Sequence, residues 1–194
     1  MIDLDIVPDA MEFRFKDFGS FQRPYTGAEV TRVDRAGGKF AAQISLPIMT
    51  PAVGRSVVAK LMRAKQEGVR IAIPLLGISQ GIEGTPTVDG SGQSGTTLDI
   101  TGLQAGFTAR EGYWFNVVSG TRHYLHNIAA TARADSSGDL SVTIFPALRT
   151  SFTDGDTVKF EKPMIEGFVE GDEQAWAYEA ERMISIGFSV EEFG

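Results

Sequence analysis

The sequence predicts a mainly β protein: a β-sandwich with one packed α-helix, built from both ends of the chain, and a small β-barrel inserted between them. Three observations predict this class. Several short segments alternate apolar and polar residues with the period of two that half-buried strands require. One segment has the spacing of an amphipathic helix. Six glycines fall between residues 77 and 95 and separate two groups of strands.

The first strands come before the helix. Apolar and charged residues alternate between residues 11 and 15, and an apolar face returns at the even positions of residues 40–46. Both segments predict antiparallel strands with one buried face. Two glycines precede the second segment, so residues 28–47 predict one hairpin with a glycine turn.

The helix is predicted to begin at Thr50, which can cap free amide groups, with Pro51 at the first helical position, and to end near Gly68. The apolar stripe that should pack on the sheet consists of Val57, Val58, Leu61, Met62 and Ala64. A further strand is expected directly after the helix, from residue 69 to residue 73.

The middle of the chain predicts the barrel, because short strands recur there at regular spacing between turn residues. We expect these strands at Thr97–Thr101, Tyr113–Val118, Thr121–His126, Leu140–Phe145 and Thr157–Glu161. The glycine-rich segment before them predicts a linker. The expected domains are therefore residues 1–77 with 163–194, forming the sandwich, and residues 78–162, forming a separable inserted barrel.

The last segment of the chain carries the candidate interface. Apolar residues occupy even positions from Trp176 to Val190, which predicts one long strand with a bulge or bend at Arg182. The odd positions carry acidic residues, and the candidate interface consists of Glu179, Glu181 and Glu191. This face is expected either to meet a basic surface on a neighbouring subunit or only to keep strand edges from aggregating.

The net charge of -7 is concentrated at one end of the chain. Residues 164–194 hold eight acidic residues and one basic residue, whereas residues 1–163 hold seventeen of each. A protein that binds nucleic acid needs a basic stripe to neutralise phosphates. No such stripe is visible, so specific binding of nucleic acid is not expected.

The chain has no cysteine, so it has no disulfide, thiolate metal site or cysteine nucleophile. No apolar run approaches the roughly 20 residues that span a bilayer, and the first residues are acidic where a signal peptide would be basic. We expect a soluble, unprocessed protein with no membrane partner.

Motifs for catalysis, metals and cofactors are weak. Residues 90–95 match the spacing of a dinucleotide-binding glycine loop, but a strand follows them where that motif needs a helix. His123 and His126 point to opposite faces of a predicted strand, which does not suit a shared metal. No serine lies in a nucleophile elbow. We expect no cofactor, no metal and no enzymatic activity.

A second candidate site combines aromatic and basic residues of the predicted barrel: Tyr113, Trp114, Arg122 and Tyr124. Such residues form a platform for a glycan or for single-stranded nucleic acid in some small barrels, although aromatic residues more often fill the interior. A glycan- or single-strand-binding β module is therefore the alternative hypothesis. An enzyme with unrecognised carboxylates is a third.

Six segments spread along most of the chain contain turns, a helix cap and strand ends: Thr31–Phe40, Ile44–Pro51, Val88–Leu98, Ile144–Arg149, Asp154–Val158 and Phe188–Phe193. Taken in this order, they resemble the distal tail protein family of long-tailed, siphovirus-like bacteriophages.

The resemblance implies a structural virion protein of the phage tail, made in the host cytoplasm. Its partners would be further copies of itself in a ring, which the family suggests is a hexamer, together with the tail tube protein and the tail tip hub or fibre proteins. From the length of the sequence, we expect no additional carbohydrate-binding domain. An acidic strand face and a glycine-flanked insertion fit such an assembly role, which needs faces and edges for partners.

Overall fold

The structure is a computed structural model. It describes residues 1–33, 35, 37–81, 84–171, 175–178 and 183–193. Over these residues the protein is mainly β with one helix, which confirms the predicted class: a helix-backed unit built from both chain ends, and a small closed barrel.

Along the chain the elements are β1 (Ile2–Leu4), β2 (Ala10–Lys16), β3 (Ser20–Gln22), β4 (Thr31–Val33), β5 (Lys39–Ser45), α1 (Pro51–Glu67), β6 (Val69–Ala72), β7 (Gly84–Val88), β8 (Thr97–Leu103), β9 (Thr108–Ala109), β10 (Trp114–Ser119), β11 (Arg122–Ile128), β12 (Ala132–Arg133), β13 (Leu140–Phe145), β14 (Thr157–Lys159), β15 (Met164–Val169), β16 (Trp176–Tyr178) and β17 (Ile184–Glu192).

Seven strands form the terminal sheet, in the order β1-β6-β15-β17-β5-β2, with β16 paired to β17. The pair β1–β6 is parallel and the others are antiparallel. The sheet joins both chain ends, because β6 pairs with β15, which follows it in the sequence only after the whole barrel. Helix α1 and part of the barrel wall pack against this sheet and complete its hydrophobic core.

Helix α1 agrees with its predicted ends: Thr50 is extended, Pro51 opens the helix and Gly68 closes it with φ 80°. The predicted Thr50 side-chain cap does not form. The buried helix residues are Gly54, Val57, Val58, Leu61 and Ala64.

Two details of the helix face were not predicted. The prediction for Met62, which we expected in the buried stripe, is wrong: Met62 is 51% exposed, because it follows Leu61 by one residue and therefore lies on the helix face turned away from the sheet. Gly54 lies against the sheet so closely that a Cβ there would stand 2.9 Å from Cβ of Ile184. The absence of a side chain therefore sets the distance between helix and sheet.

Six strands close the barrel in the order β10-β11-β13-β8-β7-β14. The predicted barrel strands are present, but the barrel also contains β7, within the segment that we expected to be a linker. Gly84 has φ 128°, and a Cβ there would lie 2.5 Å from the carbonyl oxygen of Gly102. Glycine thus allows β7 to approach β8 at this bulged end, so in this segment glycine marks a close contact between strands as well as a loop.

Two predicted strand pairings are wrong. Residues 28–47 do not form a hairpin, since β4 pairs with β3 and β5 lies between β2 and β17. The chain from Trp176 to Val190 is not one strand either, because β16 and β17 form an antiparallel pair in which Trp176 lies opposite Ile186. In this register the even-numbered residues of β16 lie opposite even-numbered residues of β17. The sequence of such a hairpin therefore shows the same alternation of apolar and polar residues as one long strand. Arg182, the predicted bulge, lies outside the described residues.

Candidate assembly surfaces

A hairpin arm, residues 17–33, projects from the sheet between β2 and β5. Its strands β3 and β4 pair with each other, and no other described strand pairs with them. Every residue of the arm is exposed except Gly19 and Val33, which are half-buried. The exposed large apolar residues of the arm are Phe18, Phe21, Tyr25 and Val30.

Local contacts shape the base of this arm. Arg32 Nη2 donates to Asp17 Oδ2 at 2.7 Å, and the backbone N–H of Gly19 donates to Asp17 Oδ1 at 2.8 Å. The Arg32 guanidinium carbon lies 5.6 Å from the centre of the Phe21 ring. These contacts order the backbone but leave the outer aromatic surfaces uncovered.

Of the three residues of the candidate acidic face, the structure describes Glu191, which is half-buried and ion-paired. Lys39 Nζ lies 2.6 Å from Glu191 Oε1, and Lys16 Nζ also contacts the carboxylate. Desolvation acts to raise the pKa of Glu191, but hydrogen bonds from Lys16 and Lys39 prevail and lower it to about 2. The charge of Glu191 is thus neutralised within the chain. Glu179 and Glu181 lie outside the described residues.

The four residues of the candidate aromatic platform do not share one surface. The side chain of Trp114 packs outside the barrel, where it stacks on Phe13 with ring centres 5.0 Å apart. Tyr113 and Tyr124 pack against the barrel core. Arg122 lies at the opposite end of the β10–β11 hairpin from Trp114 and covers the ring of Phe193 at 4.9 Å.

Tyr113 and Trp114 do meet at a cleft between the sheet and the barrel, with a volume of about 510 Å³. The other lining residues are Asp9, Ala10, Met11, Phe13, Ile73, Pro74, Leu75, Leu76, Ile78, Gln80, Arg110, Glu111 and Gly112. Leu76 is 87% exposed at its rim. The lining is largely apolar, which suits an aromatic or aliphatic group.

Sequence reasoning missed this cleft because its walls come from three separate stretches of chain. The side chain of Gln80 ties two of them together: its amide nitrogen donates to the carbonyl oxygens of Trp114 and Phe160, and its oxygen accepts the N–H of Trp114 at 2.9 Å. The sequence signal that was available is the apolar run 73–78, which leads into the glycine-rich segment.

Both histidines have a strongly lowered pKa. Desolvation is the main cause that lowers the pKa of His123 to about 4 and that of His126 to about 3, with nearby arginines adding to it. His126 is buried, and its Nδ1 lies 3.1 Å from the carbonyl oxygen of Pro146. Within the described ranges, no group of three or more His, Cys, Asp or Glu side chains is placed to hold a metal ion.

Among the described residues, no helix combines the length and the apolar composition needed to cross a membrane. Neither a protein-family model nor a curated protein matches the sequence. The exposed arm and the cleft are therefore the features on which a function can be argued.

Proposed function

We propose that the protein is a ring-forming structural component of the distal tail hub of a long-tailed bacteriophage, which connects the tail tube to the tip hub or fibre proteins. Copies of the same chain are its first partners. The role is structural and includes no catalytic step. The observation that carries the proposal is the exposed arm, residues 17–33.

The arm gains only marginal stability from its own contacts. A two-stranded ribbon is marginal in water, and strands of three residues are at the short end of those found in proteins. Phe21 and Tyr25 expose apolar surface that becomes stabilising only when another molecule covers it. A neighbouring subunit provides such cover in every copy at once.

A projecting arm favours a ring over a symmetric dimer. When a protrusion on one copy docks on a different surface of the next, the contact is head-to-tail, and such contacts close into rings or continue as filaments. The strand β2, from which the arm emerges, pairs on one side with β5 and on the other with no described strand. This open edge offers further backbone hydrogen bonds to a neighbour.

Sedimentation velocity tests the assembly role directly. We expect the unmodified protein to form a discrete oligomer, with six copies as the family resemblance implies. The double change Phe21→Ser and Tyr25→Ser should weaken assembly by at least about tenfold in dissociation constant, because loss of a hot-spot residue costs about 2 kcal/mol or more and about 1.4 kcal/mol already corresponds to tenfold.

Met62→Ser is the matched control, since it removes an exposed apolar side chain from helix α1 and should leave assembly unchanged. A protein that stays monomeric at all accessible concentrations would contradict the proposal. Assembly that tolerates the Phe21 and Tyr25 changes would contradict the role of the arm.

The cleft supports the alternative hypothesis of a binding module for a glycan or a single strand, because Tyr113 and Trp114 both line it. Titration of a monomeric sample with oligosaccharides or short oligonucleotides, followed by tryptophan fluorescence, distinguishes the two functions. Saturable binding that Trp114→Ala abolishes would favour the module.

A further inference from the structure

The barrel strand β11 presents an incomplete edge to the terminal sheet. It pairs with β10 along most of its length, but with β13 only at Asn127 and Ile128. The backbone groups of residues 121–126 on that side therefore need other partners, since buried N–H and C=O groups are rarely left unpaired.

Glu192 of the sheet strand β17 supplies one of these partners. Its side chain is 2% exposed, and its two oxygens each lie 3.0 Å from a terminal nitrogen of Arg149, which is 4% exposed and belongs to the barrel unit. The same carboxylate accepts the backbone N–H of Leu125 at 3.2 Å and that of Phe40 at 2.8 Å. One carboxylate thus joins β17 and β5 of the sheet to β11 of the barrel.

Glu166 of the sheet strand β15 repeats this arrangement two residues earlier on β11. Its side chain is 1% exposed, and its Oε2 accepts from Arg70 Nε at 2.8 Å and from the backbone N–H of His123 at 3.1 Å. Arg70 Nη2 donates in turn to the carbonyl oxygen of Thr121 at 2.7 Å. Residues 123 and 125 point their N–H groups to the same side of the strand, so two carboxylates stand where a neighbouring strand would stand.

Loss of the contacts of either carboxylate, Glu192 or Glu166, would cost much free energy. A buried carboxylate that loses its partners retains the full cost of desolvation, and a buried N–H without an acceptor is also costly. Any rotation of the barrel away from the sheet would separate Leu125 from Glu192 and His123 from Glu166 together. Asn116 adds a third link, since its amide bonds both the N–H and the carbonyl oxygen of Met164.

We propose that the two pairs, Arg70–Glu166 and Arg149–Glu192, form a latch that holds the barrel on the sheet in one orientation. The insertion is then not a domain that swivels or folds separately. The sheet unit and the barrel unfold together in one cooperative step. The cleft between them keeps a fixed shape, so a ligand or partner meets a preformed surface there.

Hydrogen exchange followed by mass spectrometry tests the latch on the full chain, whatever its oligomeric state. In the unmodified protein, peptides covering residues 121–126 should be as protected as the barrel core, and the most protected sheet and barrel peptides should open with the same free energy. E192Q and E166Q should each accelerate exchange in residues 121–126 by at least about tenfold, since each weakens a charge-assisted acceptor.

E67Q is the matched control, because it removes the carboxylate of an exposed arginine–glutamate pair on helix α1 and should leave exchange in residues 121–126 unchanged. Barrel peptides that open separately from the sheet in the unmodified protein would overturn the proposal. So would unchanged exchange in both glutamine variants. If E192Q does not fold, E166Q and the unmodified protein decide the question.

Discussion

At the scale of single residues, Leu61 is a fully buried anchor between helix α1 and the sheet. Leu61→Ala should destabilise the protein by about 2–5 kcal/mol, because it removes apolar contacts and leaves a cavity. Denaturant unfolding measures this loss. Met62→Ala, the next residue on the exposed side, should cost far less, and equal losses at both positions would show that the helix does not pack as described.

His126 makes stability depend on pH. The pKa of its imidazole is lowered from 6.5 to about 3, first by burial and then by the nearby charge of Arg149. Below pH 6.5 the His126 side chain binds a proton in the unfolded chain, whereas in the folded protein it stays neutral until near pH 3. The contribution of His126 to the free energy of unfolding is therefore complete above pH 6.5 and is lost as the pH falls from 6.5 to about 3.

Unfolding free energies measured from pH 7 to pH 4 should therefore fall less steeply for His126→Gln than for the unmodified protein. Taking the difference between the two proteins removes the contributions of the carboxylates, which both share. Parallel pH profiles would show that His126 titrates normally in the folded state.

At the scale of elements, the sequence predicted those whose signal is local. The end of helix α1 follows from Gly68, and its buried face from the spacing of Val57 and Leu61. Strand partners were not predictable in the same way, because alternation shows which face of β5 is buried and says nothing about which strand lies beside it. The cleft and the latch were missed for a related reason, since their residues converge only in the folded chain.

The bulged edge between β7 and β8 depends on two glycines, Gly84 and Gly102. Gly84→Ala should destabilise the barrel by more than the roughly 1–2 kcal/mol that a positive φ costs an alanine, because its Cβ would also collide with the carbonyl oxygen of Gly102. Gly90→Ala is the control: Gly90 also has a positive φ, but nothing lies within 4 Å of its Cβ position. Equal thermal destabilisation by the two changes would argue against close contact at Gly84.

At the scale of the whole molecule, the uneven charge of the chain predicts electrostatic assembly. Glu179 and Glu181 contribute to the acidic end, and charge complementarity with a basic neighbour would set register and speed encounter. Glu179→Gln combined with Glu181→Gln should weaken assembly and reduce its sensitivity to salt, because exposed charges are screened beyond about 8 Å at physiological ionic strength. Assembly that ignores both salt and this substitution would leave the acidic face with a solubility role.

The central claim is that copies of this chain close into a ring. Negative-stain electron microscopy of the purified protein tests it most directly, since head-to-tail docking of the arm should give closed rings of uniform size, six copies in each. Loss of the rings in the Phe21→Ser, Tyr25→Ser protein would tie them to the arm. Dispersed monomers or open filaments from the unmodified protein would contradict the account.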